Sequence, residues 1–110
     1  MDSKIKTWLI DIQTSIDEIF EFLPHKKDFI EFQKDLKTKR AVERNLEIVG
    51  EAMNRILKVD PDFKITNSRR IVDTRNRVIH GYDSVSDSVI WAIVIRELPK
   101  LKEEVESYLK

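Results

Sequence analysis

Apolar residues recur every three or four positions along most of this chain. The first such series is Ile5, Leu9, Ile12, Ile16, Ile19 and Leu23. Steps of four and three place these side chains on one stripe of a helix. Proline lacks a backbone N–H and restricts the residue before it, so the pattern predicts a helix that stops at Pro24.

The next two segments predict a short helix and a long one. The short helix runs from Asp28 to about Asp35 and is expected to bury Phe29 and Phe32. The polar run at residues 37–40 is interpreted as a break or an exposed turn. The apolar spacing then returns and predicts a helix to about residue 58, on the positions Val42, Leu46, Val49, Met53 and Ile56.

Gly50 lies inside this long helix, where glycine costs about 1 kcal/mol relative to alanine. We therefore expect a close helix crossing at Gly50 that leaves no room for a side chain. Glu51 follows it and is either exposed or paired with an arginine.

The second half of the chain predicts two more helices. After a loop at residues 60–62, a helix runs to about His80 and stops at Gly81, because glycine adopts the left-handed conformation at little cost. Its candidate caps are Thr66, Asn67 and Ser68. A polar connection at residues 83–87 leads to a last helix, which Pro99 should kink or split. The apolar seam of that helix is Trp91, Val94, Leu98, Leu101, Val105 and Tyr108.

The fold class is therefore all-α: one domain over residues 1–110, built as an up-and-down bundle of four to five helices. Two glycines and three prolines are too few for the turns of an all-β fold. The absence of cysteine excludes disulfides and thiolate chemistry and suits a reducing compartment. No apolar run approaches the roughly 20 residues of a membrane span, and the N-terminus lacks the apolar stretch of a signal peptide. We expect a cytoplasmic protein without membrane contact.

Charge restricts how the chain can hold nucleic acid. Twenty basic residues balance twenty acidic ones, so any contact with RNA must be local. One candidate cluster is Lys34, Lys37, Lys39 and Arg40, and the other is Arg69, Arg70, Arg75 and Arg77. For either cluster taken alone, the favoured interpretation is a solvated helix face balanced by nearby acids.

Residues 75–82, with the sequence Arg-Asn-Arg-Val-Ile-His-Gly-Tyr, concentrate a cation, an amide, an imidazole and a phenol at one helix end. The imidazole of His80 can accept or donate a proton near neutral pH, and the guanidinium of Arg75 can hold a phosphate. Together these groups are sufficient for metal-free RNA cleavage. The structural alternatives are that His80 caps a helix, that Arg75 pairs with Asp73 or another acid, and that Tyr82 lies at the core edge.

Helix geometry limits how Arg75 and His80 can act together. Five positions separate them, which is about 140° around an ideal helix. Either the helix unwinds near Gly81, or a second copy of the segment completes the site across a twofold interface. The dimer is the preferred interpretation. No metal or cofactor is expected, since His25 and His80 are the only histidines and the carboxylates show no ligand spacing.

Two separated motifs make the chain resemble the HepT family of the HEPN superfamily. Residues 40–52 (Arg-Ala-Val-Glu-Arg-Asn-Leu-Glu-Ile-Val-Gly-Glu-Ala) resemble the long central helix of that family. Residues 75–82 resemble its signature Arg-x-x-x-x-His-x-Tyr, with a polar residue directly after the arginine. Trp91 and residues 97–101 resemble its final helix. Residues 68–70, Ser-Arg-Arg, depart from the tryptophan-containing approach of many relatives.

The resemblance implies a HEPN-like bundle that dimerises and acts as a metal-independent endoribonuclease toxin on RNA. It implies that Arg75 and His80 are catalytic and that Asn76 supports them. From the second basic cluster, Arg69, Arg70 and Arg77 are the RNA-binding candidates. It also implies a minimal nucleotidyltransferase antitoxin that transfers AMP onto Tyr82. Some HEPN domains lack nuclease activity, so the alternative is a non-catalytic binding subunit of a nucleotidyltransferase complex. A dimeric helical adaptor is a third possibility.

Overall fold

The computed structural model describes residues 1–23, 28–80 and 86–110, and for residues 78–80 the description covers the backbone. The described residues form helices and connecting loops, with no strand. The elements are α1 Ser3–Phe22, α2 Phe29–Lys34, α3 Leu36–Val59, α4 Ser68–His80, α5 Asp87–Ala92, a π-helical segment Ile93–Glu97, and α6 Leu98–Leu109. Because α5, the π segment and α6 follow one another without a gap, the described residues form a five-helix bundle, and the predicted all-α fold is confirmed.

The apolar stripe of α1 packs into the core as predicted. Asp2 caps the helix by accepting a hydrogen bond from the Lys4 N–H at 2.7 Å. All six predicted stripe residues are buried: Ile5, Leu9, Ile12, Ile16, Ile19 and Leu23. Each aliphatic side chain buried in this way contributes about 1.5–3 kcal/mol. Helix α1 ends at Phe22, and Pro24 lies outside the described residues.

Two predictions for the α2–α3 region are corrected. Phe32 is buried, but Phe29 is only half-buried and packs against Trp91 with ring centroids 6.0 Å apart. Residues 37–40 are neither a break nor an exposed turn but lie in the first turns of α3. The reason is Asp35, whose carboxylate accepts hydrogen bonds from the Thr38 N–H at 3.1 Å and hydroxyl at 2.6 Å and so caps the helix.

Helices α3 and α4 cross closely at Gly50, as predicted. A Cβ atom built at Gly50 would lie 2.0 Å from the Cβ of Arg75 and 2.8 Å from its Cγ. Real Cβ atoms do not approach so closely, so only glycine fits this crossing. The glycine therefore determines how near the Arg75 backbone comes to α3.

The loop before α4 is tied to α6. Thr66 donates from its N–H and its hydroxyl to one Glu104 carboxylate oxygen, at 3.1 and 2.9 Å. The hydroxyl of Tyr108 donates to the carbonyl of Lys64 at 2.8 Å. Of the predicted cap candidates, Thr66 thus binds a side chain of α6 and does not cap α4. Asn67, with φ of 59°, accepts the first helical hydrogen bond through its carbonyl, from Ile71 at 3.0 Å.

The predicted interruption near Pro99 takes the form of the π-helical segment. The Leu98 N–H donates to the carbonyl of Ile93, five residues back, instead of four. This wider turn directly precedes Pro99, which cannot donate a helical hydrogen bond and whose ring crowds the preceding turn. No helix in the described part of the chain is both long and apolar enough to cross a membrane.

Candidate functional site

Arg75 is held in place by groups from two helices. Its Nη2 lies 2.8 Å from Oε2 of Glu51 on α3, and its Nη1 donates to Oδ1 of Asn76 at 2.8 Å. Only 26% of its side chain is exposed, and its buried Nε has no hydrogen-bond partner among the described residues. Arg75 is therefore an anchored guanidinium rather than a free surface charge.

Glu51 connects Arg75 to a second arginine. Its other carboxylate oxygen accepts a hydrogen bond from Nε of Arg55 at 2.9 Å. The hydrogen bond from Arg55, followed by the charge of Arg75, lowers the pKa of Glu51 below its ordinary value, although burial opposes this shift. The carboxylate is therefore ionised at neutral pH. Of the two sequence interpretations of Glu51, the arginine-paired one is confirmed. The structural alternative for Arg75, pairing with Asp73 or another acid, is also confirmed, and the acid is Glu51.

Arg75 and Glu51 lie in a cleft of about 500 Å³ between α1, α3 and α4. Its walls carry three arginines and three acids around an apolar surface. The lining residues are Trp8, Asp11, Arg44, Glu47, Ile48, Glu51, Ala52, Arg55 and Arg75. Among the described residues, no three carboxylate or imidazole groups lie close enough together to hold a metal ion. The cleft can offer stacking, hydrogen bonding and charge stabilisation.

For His80, the other proposed catalytic residue, the structure describes the backbone. Helix α4 is helical through His80, so the backbone positions of His80 and Arg75 are about 140° apart around the helix axis. No unwinding occurs between these two residues. The imidazole of His80 and the whole of Tyr82 and Gly81 lie outside the described residues, as does His25. The structure thus brings Asn76 to Arg75, and the catalytic roles of Arg75 and His80 stay predictions.

Half of the eight residues in the two basic clusters form ion pairs with described acids, in partial agreement with the interpretation of faces balanced by nearby acids. Arg70 forms an ion pair with Glu97 of the π segment at 3.3 Å, and Lys39 forms one with Asp87 at 3.2 Å. Arg69 and Arg77 are exposed and form no ion pair with a described residue. Arg70 and Arg77 are seven positions apart and share a face of α4.

Sequence reasoning did not include α1 in the site. Trp8 and Asp11 lie beside the apolar stripe of α1, and only the packing of α1 on α3 brings them to Arg75. A local signal did exist for part of the cleft. Glu51 and Arg55 are four positions apart, which is the spacing of an ion pair on one helix face.

Comparison with known proteins identifies the family to which this helical chain belongs. A model of the ribonuclease HepT-like family matches residues 12–108. A protein named "Probable ribonuclease HepT" from Thermococcus cleftensis is 37% identical, and the alignment covers 96% of each chain. Two Methanocaldococcus jannaschii proteins, each named a "Putative RNase", are 36% and 32% identical over 93% and 96% of this chain and 94% and 88% of their own lengths. No solved structure matches the chain.

The fold and the matches define an all-helical protein of the ribonuclease HepT class. The chain belongs to the ribonuclease HepT-like family. The predicted resemblance to HepT within the HEPN superfamily is thereby confirmed.

Alanine at Gly50 is expected to destabilise the protein, because its methyl group would force α3 and α4 apart at Arg75. Helix propensity alone predicts the opposite sign, a gain of about 1 kcal/mol. Overpacking of this kind costs about 1–3 kcal/mol, so the Gly50→Ala variant should unfold at lower urea concentration than wild type. Circular dichroism during urea titration measures this difference.

The same substitution in an Arg75→Gly background provides the matched control. Removing the Cβ of residue 75 removes the atom that the new methyl group would meet at 2.0 Å. Gly50→Ala should then be neutral or stabilising. An equal loss of stability in both backgrounds would show that the crossing at Arg75 is not the cause.

Proposed function

We propose that this chain is a metal-independent endoribonuclease toxin of a toxin–antitoxin pair, which cleaves RNA in the cytoplasm through Arg75 and His80. The observation that carries the proposal is the anchoring of the Arg75 guanidinium inside a cleft by Glu51 and Asn76. The family match and the names of the relatives support ribonuclease activity.

The proposed reaction needs only groups that the signature segment supplies. His80 takes the proton of a ribose 2′-hydroxyl, the 2′-oxygen bonds to the adjacent phosphorus, and the bond from phosphorus to the 5′-oxygen breaks. The leaving 5′-oxygen takes up a proton from water and His80 returns its proton to water, so the products are a 2′,3′-cyclic phosphate and a 5′-hydroxyl. Arg75 stabilises the charge that grows on the phosphoryl oxygens.

Glu51 and Asn76 have a positioning role in this scheme. A guanidinium carries five N–H groups, and these two partners occupy one each. They fix the plane of the guanidinium while leaving other N–H groups for a phosphate. Preorganisation of this kind matters because charge stabilisation is strongest when the donors need no rearrangement.

The site in this proposal is completed by a second copy of the chain. Since α4 is helical through His80, the backbone positions of Arg75 and His80 in one copy lie about 140° apart around the helix axis. A twofold arrangement of two α4 helices brings Arg75 of one copy towards His80 of the other. The exposed residues Arg69 and Arg77, with Arg70, are the proposed contacts for flanking RNA phosphates.

The proposed partner is a minimal nucleotidyltransferase antitoxin that transfers AMP onto Tyr82. An added AMP would bring negative charge and bulk to the place where the RNA phosphate binds, and it would occupy Arg75. Mass spectrometry after incubation with that partner and ATP tests this step. If the Tyr82→Phe variant receives AMP as completely as wild type does, Tyr82 is not the target.

The experiment that tests the proposed function is incubation of total cellular RNA with purified protein in excess EDTA. We expect cleavage that EDTA does not slow and fragments that end in 2′,3′-cyclic phosphate. Cleavage that requires added Mg²⁺ or Mn²⁺ would contradict the metal-independent mechanism. A wild-type protein that leaves RNA intact would favour the non-catalytic binding subunit of a nucleotidyltransferase complex.

A further inference from the structure

The cleft that holds Arg75 also presents an indole ring from another helix. Trp8 of α1 forms part of its wall and is half-buried against the core. The cleft volume of about 500 Å³ lies within the range of small-ligand sites. A half-exposed aromatic ring beside guanidinium groups is the arrangement on which unpaired nucleobases stack in RNA-binding proteins.

The charges of the cleft suit a base as well as a phosphate. Arg44 is exposed and forms no ion pair with any described residue, so its guanidinium is available to an anion. Asp11 and Glu47 also line the cleft, and neither has an ion-pair partner within the described part of the chain. Their carboxylates accept hydrogen bonds from exocyclic amino groups. Uracil has no such group, and its single donor at the edge, N3–H, lies between two carbonyl oxygens that a carboxylate repels.

We propose that this cleft is a subsite for one unpaired nucleobase that carries an exocyclic amino group. Trp8 stacks on the base, Asp11 and Glu47 accept hydrogen bonds from its amino group, and Arg44 neutralises a neighbouring phosphate. The inference rests on the proposed function, since the base belongs to the RNA whose scissile phosphate lies at Arg75. Adenine, cytosine and guanine fit this description, and uracil does not.

Trp8 itself can report the binding. The chain has two tryptophans, so Trp91→Phe leaves Trp8 as the single indole, and His80→Ala prevents cleavage during the measurement. Titration with a short oligoadenylate should quench the fluorescence of Trp8 to saturation. The matched protein carries Trp8→Phe and His80→Ala and keeps Trp91, whose emission should not change.

The carboxylates are tested by comparing oligoadenylate with oligouridylate of equal length on the Trp8 reporter. Oligoadenylate should bind several-fold more tightly. Glu47→Gln should reduce this preference, because an amide can also donate to a uracil oxygen. Glu43→Gln on the same helix is the control, since Glu43 pairs with Arg40 and does not line the cleft. Equal affinity for the two oligonucleotides would overturn recognition of the amino group.

In the otherwise native chain, Trp8→Ala should raise KM for RNA about tenfold with little change in kcat, as expected for the loss of one stacked base. If anisotropy shows that an oligonucleotide binds but the fluorescence of Trp8 does not change, the proposed subsite is wrong. The proposed nuclease function is not contradicted by that result. Loss of self-association in Trp8→Ala with unchanged KM would also overturn the subsite, because a second copy would then occupy the cleft. Wild-type protein that does not cleave RNA would contradict the proposed function, whereas quenching by oligoadenylate would still support a nucleotide subsite.

Discussion

Replacing His80 with alanine is expected to lower the rate of RNA cleavage about 10²–10⁴-fold, because the site then lacks its proposed proton-transfer group. Replacing Arg75 with alanine should lower kcat about 10²–10³-fold, which is the usual cost of losing one group that stabilises transition-state charge. Both losses should appear in kcat, since each group acts mainly as the phosphorus geometry changes. Single-turnover cleavage of a labelled RNA measures them.

The controls separate chemistry from folding. Arg75→Ala also leaves the carboxylate of Glu51 without one of its two arginine partners, so its helicity and urea midpoint must be compared with wild type. Lys100→Ala removes a positive charge from the exposed surface of α6 and should cleave at the wild-type rate. If a folded His80→Ala protein cleaves as fast as wild type, the signature segment is not the catalytic site.

Arg75→Lys refines the same prediction. Lysine keeps the positive charge but loses the planar fork that contacts both Glu51 and Asn76 and that the proposed mechanism also uses to bind a phosphate. Its activity should lie between those of Arg75→Ala and wild type. Full activity would mean that a positive charge alone suffices and that the contacts of Arg75 with Glu51 and Asn76 do not contribute to catalysis.

The sequence was sufficient for those parts of the fold that local rules control. The apolar stripe of α1 and the close crossing at Gly50 both follow from periodicity and from the cost of a helical glycine. The error at residues 37–40 also has a local cause, since the capping carboxylate of Asp35 lies outside the polar run. Phe29, the first residue of α2, is less buried than expected, and its ring contacts Trp91, which is far away in sequence.

The contacts within the candidate site could not be predicted from such local rules. The signature at residues 75–82 predicted which groups carry chemistry, but not that Glu51, twenty-four positions earlier, would hold Arg75 at 2.8 Å. That contact depends on the crossing of α3 and α4. Trp8 reaches the same cleft only through the packing of α1 against α3. Contacts between distant elements are decided by how whole helix faces pack, which the spacing within one helix does not reveal.

The second large prediction follows from the proposed dimer and uses mixed dimers purified through two different affinity tags. If Arg75 of one copy acts with His80 of the other, a dimer of Arg75→Ala with His80→Ala contains one complete site and one doubly defective site. Each parent variant alone is nearly inactive, whereas this mixed dimer should recover about half of the wild-type activity.

The reciprocal pair excludes the alternative. A dimer of wild type with the Arg75→Ala/His80→Ala double variant has no complete site if the two groups act across the interface, and it should be nearly inactive. If both groups act within one copy, the outcomes exchange: this dimer keeps about half of the activity and the first pair stays inactive. Inactivity of both mixed dimers would contradict both arrangements and require a single cleft that uses both arginines and both histidines. Which of the two mixed dimers is active therefore shows whether Arg75, which lies about 140° from His80 around α4, acts with His80 of the same copy or with His80 of a second copy.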